Sequence, residues 1–426
     1  MTGVQLGLKA NWRQFSLLVV INAFVGGMVG LERSILPAIA QDYFHILAKT
    51  AVLSFIVVFG LSKAITNYFS GVLANKMGRK ALLTLGWGFG LPVPFILMFA
   101  QNWDWIVTAN ILLGINQGLA WSSTVVMKID LVGEKERGFA VGLNEFAGYV
   151  AVAVVAFLTG WVASLYSLRP FPFYIGVVLS VLGFLFSWLL VKDTSRHMAT
   201  EIQTSSNPKL DNFFWQTTWK NKNLGSVTQA GLVNNLNDGM AWGLFPILFA
   251  SRGFSLEEIG ILTAIYPAVW GIGQLFTGRM ADHFCKKDLL FLGMLLQGIV
   301  LILMVFAITM THFIVLGILL GWGTAMVYPT FLATVAENTN PSDRAKSLGV
   351  FRFWRDSGYA FGAIMTGLVA DHLGLSAAIL LTGLLTIFSA TVILIRMNCG
   401  NIKSIRIGNW LKYKNEPKKA RKTDLI

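Results

Sequence analysis

Charge is scarce here: Asp, Glu, Lys and Arg make up 13% of the chain against 55% hydrophobic residues, a balance that excludes an ordinary soluble domain. Cysteine occurs only twice, so neither a disulfide framework nor a cysteine-rich metal cluster can be built. The five histidines, His45, His197, His283, His312 and His372, fall in loops far apart in sequence, and none has zinc-ligand spacing. A phosphate loop of the form G-x-x-x-x-G-K-[ST] is missing, as is any nucleophile motif, so neither ATP chemistry nor a membrane enzyme is indicated. The longest polar stretch is about 33 residues, too short for the large output domain that a non-transporting sensor would carry.

Long apolar runs are what the chain has in abundance. Twelve recur, at about 15–40, 50–73, 81–100, 105–127, 138–163, 172–191, 225–250, 257–277, 288–308, 313–335, 346–370 and 375–396. Each is long enough to cross a hydrocarbon core of roughly 30 Å as a helix, whereas barrel strands would alternate over about 10 residues. The first run lacks a small-residue cleavage site and leads into Glu32-Arg33, so it is expected to be a retained helix. With both ends on the cytoplasmic side, 26 of the 34 Lys and Arg fall in cytoplasmic segments and only Lys49, Arg169 and Arg252 outside. This asymmetry accounts for the net charge of +13 without nucleic acid, and the basic tail is expected to meet anionic lipid headgroups. Cys285 and Cys399 fall on the same cytoplasmic side and are expected as separate thiols.

The chain repeats itself. Gly71-Val72-Leu73-Ala74-Asn75-Lys76-Met77-Gly78-Arg79-Lys80 is echoed 207 residues later by Gly278-Arg279-Met280-Ala281-Asp282-His283-Phe284-Cys285-Lys286-Lys287. Arg137, Gly142 and Gly160 align without gaps on Arg344, Gly349 and Gly367. The expected organisation is an N-terminal six-helix bundle (1–191), a cytoplasmic linker (192–224), a C-terminal six-helix bundle (225–396) and a basic cytoplasmic tail (397–426). Within the linker, Phe213-Phe214-Trp215 and Trp219 fit either a short interfacial helix or a plain tether.

The first loop, Gly71 to Lys80, resembles the signature loop G-x-L-a-D-[RK]-x-G-R-[RK] of the major facilitator superfamily. The resemblance implies an all-α polytopic membrane protein with twelve transmembrane helices in two pseudo-symmetric six-helix bundles. It further implies secondary transport by alternating access, with Gly71, Asn75, Gly78, Arg79, Gly278 and Asp282 as the conformational loop residues. The family's loop acid is Asn75 here, which keeps a hydrogen-bond acceptor but loses a charge–dipole term of about 0.3–1 kcal/mol. A weaker latch on that side is expected. The family's helix 4 basic residue is Gly114 before Gln117-Gly118, and the helix 5 stretch Glu145 to Tyr149 carries no antiporter proline. Both departures weigh against a default drug/proton antiporter.

Ionisable groups at membrane depth cost roughly 2.5–3.5 kcal/mol each on insertion scales and mark function. The cations are Arg33, Lys63, Lys128, Arg352 and Arg355; the anions are Glu32, Asp130, Glu145, Asp238 and Asp356. In the first run Asn22, Gly26, Gly30, Arg33 and Pro37 share a face, so Arg33 is read as a substrate contact or as half of an ion pair. Lys63 stands near mid-membrane, too deep to snorkel. Asn110, Gln117 and Trp121 form a cavity stripe, while Lys128 and Asp130 are read as the end of their helix. Asn234, Asn235, Asn237 and Asp238 crowd five residues ahead of Trp242. Tyr266, Trp270 and Gln274 form another stripe, for cavity or packing. Arg352 and Asp356 are expected to neutralise one another four residues apart, leaving Arg355 free for an anion.

The substrate-binding residues expected are therefore Arg33, Lys63, Asn110, Gln117, Trp121, Asn234, Trp242 and Arg355. Asp238 and Glu145 are expected to carry the coupling proton, with a structural ion pair as the alternative for each. The function expected is proton-coupled transport of a small polar or charged organic solute, leaning to export, with multidrug/proton antiport or a non-transporting sensor as alternatives. No cofactor, metal or nucleic acid is called for. A monomer in the bacterial inner membrane is expected, with lipid, protons and a small molecule as its partners.

Overall fold

The computed structural model describes residues 6–132, 137–195, 197, 212–339 and 341–399, and among them every regular element is helical. Six long helices come from the first half: α1 (Leu8–Arg33), α2 (Ser54–Met77), α3 (Arg79–Gly90, continued by Val93–Phe99), α4 (Trp103–Val132), α5 (Arg137–Leu165) and α6 (Phe173–Leu185, ending in a π turn). Six more follow: α7 (Lys222–Ser251), α8 (Leu256–His283), α9 (Lys286–Met304), α10 (Met310–Glu337), α11 (Pro341–Leu373) and α12 (Leu375–Arg396).

Local chemistry sets several of the starts. Asn221 accepts from the amides of Asn223 and Leu224, so α7 begins inside the segment expected as linker. Ser255 and Glu258 form a reciprocal capping box on α8, and Thr309 caps α10. Chain breaks at Ser34 and Leu91 follow the same logic, because Pro37 and Pro94 sit in the first turn of the helices that resume there. The aromatic stretch is a short helix, Phe213–Trp215, running into a π turn. Residues 198–211 of the linker and 400–426 of the tail lie outside the described residues.

Eight of the long helices are apolar enough over 18 residues to cross a membrane by length and composition. The other four, α2, α4, α7 and α11, fall short because they carry interior polar side chains: Lys63 and Asn67, Asn116 and Gln117, the Asn234–Asp238 cluster, and Arg355 with Asp356. Their polar groups are buried while apolar residues such as Phe69, Ile111 and Phe361 face outward, the inversion expected where the solvent is lipid.

In the first half α1 packs on α5 and α4; in the second, α7 packs on α11 and α12. The halves meet along two seams, α2 against α11 and α5 against α8. Both seams are tight towards the face opposite the chain termini. A Cβ on Gly160 would lie 2.9 Å from the Cα of Gly260, and Asp371 of α11 accepts from the amide of Thr50 at 2.9 Å. Towards the terminal face, among the described residues, nothing lies within 4 Å of a Cβ built at Gly142 of α5 or Gly278 of α8.

Candidate functional site

The buried charges gather where the two seams converge. Arg33 ends α1 at 2% exposure, its guanidinium 3.8 Å above the Trp242 ring of α7 and 5.2 Å from Phe59 of α2. Trp242 stacks in turn on Tyr359 of α11 at 4.8 Å, and Phe59 meets Tyr359 edge-on at 5.8 Å. Two residues from each half thus form an aromatic and cationic plug on the side opposite the termini. A desolvated cation–π contact is worth about 2 kcal/mol. Glu32 turns away from this cluster and accepts from Asn110 of α4 at 2.7 Å.

Beneath the plug, Asp356 of α11 is the hub. Its Oδ1 lies 3.9 Å from Lys63 Nζ, 3.4 Å from Arg355 Nη1 and 3.3 Å from Asn235 Nδ2, while Oδ2 accepts from Asn67 at 2.6 Å. Lys63 and Asn67 come from α2, Asn235 from α7. One carboxylate therefore gathers polar side chains from both halves. The expected intrahelical pair between Arg352 and Asp356 does not form. Arg352 instead donates to Ser122 of α4 at 3.2 Å, because α2 offers Asp356 a lysine and an amide at closer range. Arg355 is correspondingly less free than expected, although its Nε and Nη2 have no hydrogen-bond partner and its guanidinium lies 4.3 Å over the Tyr328 ring.

Two further carboxylates face this centre, one from each half. Glu145 of α5 accepts through Oε1 from Trp121 and Asn144, both at 3.0 Å, leaving Oε2 without a partner. Asp238 of α7 accepts a short hydrogen bond from the Tyr266 hydroxyl, which lies 3.2 Å from Thr324, and its Oδ2 is likewise unpartnered. An aromatic chain joins the two sides: Trp121 to Tyr149 at 5.3 Å, Tyr149 stacked on Trp270 at 3.6 Å, Trp270 stacked on Tyr266 at 5.8 Å.

Of the residues singled out from sequence, Arg33, Lys63, Trp121, Trp242, Arg355, Asp238 and Glu145 converge on this region. Asn234 is fully buried on α7 with both amide atoms unpartnered. Gln117 points elsewhere, donating to the Val25 carbonyl of α1 at 2.8 Å, and Asn110 is committed to Glu32. Both brace α4 on α1, one through the Glu32 side chain and the other through the Val25 carbonyl. Likewise the glycine face of α1 meets α5 backbone: Asn22 donates to the Asn144 carbonyl at 2.7 Å, and a Cβ at Gly30 would lie 2.5 Å from the Val152 carbonyl. Lys128, read as a helix end, is fully buried and donates to the Leu18 carbonyl at 3.2 Å. Tyr149 and Tyr328 were not singled out from sequence; the one available signal was that Tyr149 follows Glu145 by a helical turn.

The first signature loop is held from an unexpected quarter. Gly78 has φ 86°, a left-handed conformation that favours glycine, and it opens α3. Asp193, just past α6, accepts from the Lys80 amide at 2.9 Å and from the Ser195 amide at 2.8 Å. Partial burial pushes the Asp193 carboxyl up, but the hydrogen bonds from Ser195, Lys80 and Arg79 outweigh it and hold it below the usual carboxylate range. Arg79 reaches Asp130 of α4 at 3.5 Å, and Thr194 donates to Asp130 at 2.8 Å. The side chains of Gly71, Asn75 and Asp282 lie outside the described residues.

Cys285 and Cys399, expected as separate thiols, are joined in a disulfide with Cα atoms 5.7 Å apart. Arg396 donates to the Trp219 carbonyl at 2.7 Å and the Asn398 amide to Asn223 at 3.0 Å, which steers the end of α12 over the turn into α9.

A profile of the Major Facilitator Superfamily matches residues 15–229 and 227–422. The chain belongs to the major facilitator superfamily. Its relatives within that superfamily include the multidrug resistance protein MdtG of Enterobacter lignolyticus, 23% identical over 399 residues, which cover 89% of this chain and 91% of that protein. MdtG of Klebsiella pneumoniae is 24% identical over 400 residues, covering 89% and 92%. Two structures of a POT family transporter, one with a thioalcohol-conjugated peptide and one with 5-aminolevulinic acid, superpose with a TM-score of 0.73 at 13% identity, covering 90% of this chain and 96% of theirs. As a superfamily member the chain is a multi-pass secondary transporter, not an enzyme.

Proposed function

We propose that this transporter couples movement of a small polar or charged organic solute to protons, with Asp238 and Glu145 as the groups that carry them. The observation behind the reading is the matched pair of carboxylates, one per half. Each keeps one oxygen bonded to neutral donors and the other unpartnered, at 0% and 1% exposure. A carboxylate so placed can take up and release a proton without breaking an ion pair. Arg33, Lys63, Trp121, Asn234, Trp242 and Arg355 line the solute path in this reading, while Asn110 and Gln117 brace α4. Alternating access proceeds by opening the plugged seams as the terminal ends of the two halves close together. Gly71, Asn75, Gly78, Arg79, Gly278 and Asp282 govern that rocking at the terminal face. The protein works as a monomer in the bacterial inner membrane with both termini cytoplasmic, an orientation supported by the basic residues. The two bundles are 1–191 and 222–396, the second opening with α7 three residues ahead of the expected 225.

Reconstituted protein in pyranine-loaded liposomes, challenged with a panel of organic acids, amino acids and short peptides, should show solute-dependent proton movement. Asp238→Asn and Glu145→Gln should each abolish it; undiminished movement in both variants sinks the reading. The relatives named for multidrug resistance, together with the aromatic lining, favour a second reading as a drug/proton antiporter in the export direction. Proton-driven ethidium extrusion by the same liposomes, with no response to the metabolite panel, would select it.

A further inference from the structure

We propose that Asp356 is an internal stand-in for a substrate carboxylate, and that Lys63 and Arg355 form a subsite for an organic anion bearing one. The inference rests on the transporter reading above and names its substrate class. Asp356 lies between one cation from each half, yet at 3.9 and 3.4 Å it stands farther from both than the roughly 2.7–2.9 Å of a saturated charge-assisted bond. Its close bond is instead to Asn67, at 2.6 Å. Arg355, only 3% exposed, keeps Nε and Nη2 without any acceptor, and these are two of the five donors with which arginine grips a planar anion.

The remaining anions do not fill that role. Among the described residues neither Glu145 nor Asp238 comes within 4 Å of a cation, and each is bonded instead to neutral donors. Within ion-pair distance, Lys63 and Arg355 therefore share a single carboxylate. An incoming carboxylate takes the unpartnered edge of Arg355 and the Lys63 ammonium, Asp356 stays with Asn67 and Asn235, and each of the two cations then has a carboxylate of its own. Tyr328 under Arg355, with Tyr359, Phe59 and Trp121 at 5.3–5.7 Å around Lys63, offers ring faces to an apolar or planar ligand body. In the empty carrier Asp356 keeps the same two cations from standing unneutralised between the halves.

Acetate is the probe. In detergent, thermal unfolding of Asp356→Ala should begin from a lowered midpoint that rises saturably with acetate, by about 3 °C, and not with chloride at matched ionic strength. Asp356→Asn, which keeps the volume and removes the charge, should respond in the same way if the alanine variant does not fold. Adding Arg355→Ala should abolish the acetate response. Wild-type protein should be shifted by benzoate and not by benzamide or benzylamine. An acetate effect no larger than that of chloride, a response surviving Arg355→Ala, or a stronger response to benzylamine overturns the proposal. Acetate rescue without proton movement in the pyranine assay would leave the subsite standing and remove the coupling reading alone.

Discussion

The buried arginine at the end of α1 lies against two rings, and among the described residues it makes no ion pair within 4 Å. Arg33 sits 3.8 Å over Trp242, while Glu32 beside it is occupied by Asn110. An arginine held by an aromatic face is worth about 0.5–2 kcal/mol there, and the geometry fits a flat guanidinium better than a compact ammonium. A double-mutant cycle on Arg33→Ala and Trp242→Ala, followed by denaturant titration, should give a coupling in that range, with Arg33→Lys intermediate. Simple additivity would show that the stack contributes nothing. At this scale the sequence shows which charged residues lie within apolar runs and does not show their partners. Arg33, Lys63, Glu145, Asp238 and Arg355 stood out because a charge within an apolar run is costly and persists only with a partner or a task. Their contacts did not stand out, because they join distant stretches of the chain, as Lys63 meets Asp356 and Arg33 meets Trp242. The Arg352–Asp356 pair shows the error this produces: i,i+4 spacing is visible in one helix, whereas a lysine arriving from another is not.

Among the elements, α3 is the one whose start depends on a distant segment. Gly78 gives the turn, and Asp193 supplies the acceptor that the first turn of α3 otherwise lacks. Asp193 is exposed, so its capping is expected near the low end of the usual range, about 0.5 kcal/mol. Its carboxyl is depressed below the ordinary value, so this contribution is complete at neutral pH and disappears as the pH falls through the folded-state value. Hydrogen exchange at the Lys80 amide should therefore quicken at acid pH after correction for intrinsic rates. In Asp193→Asn the protection should no longer depend on pH in that window; a wild-type pH profile in the variant would remove Asp193 from the cap. The α9–α12 disulfide also acts within one bundle, since both helices belong to the second half. Cys399→Ser should accordingly lower the thermal midpoint while leaving proton-linked flux intact, and loss of flux would show that the bond governs the transport cycle. Neither tie was foreseen, because both depend on chain ends brought together by helix packing rather than on any local pattern.

For the whole molecule, the duplicated loop and the gap-free alignment of Arg137, Gly142 and Gly160 on Arg344, Gly349 and Gly367 made two related halves legible. Which face they close was not, because closure is a relation between helices that sequence periodicity treats one at a time. The seam between α5 and α8 decides it at a single crossing. Gly160 and Gly260 bring two backbones together near the face opposite the termini, where a Cβ on Gly160 would meet both the Gly260 Cα at 2.9 Å and the Leu256 carbonyl at 3.0 Å. Packed interfaces of this kind are bistable, so a side chain inserted at the crossing favours the state in which the seam is open. Gly160→Leu should therefore insert normally but shift the carrier towards opening on that face. With Cys285 and Cys399 replaced by serine, Thr263→Cys serves as a reporter one turn below Gly260 on α8. In the proposed orientation, a membrane-impermeant maleimide added to spheroplasts should label it slowly in the parent and at least tenfold faster with Gly160→Leu, while flux falls. Gly160→Ala should be intermediate, because its methyl also meets the Gly260 and Leu256 backbone but is smaller than the leucine side chain. Equal labelling across the three would mean that the two glycines pack the seam without controlling it.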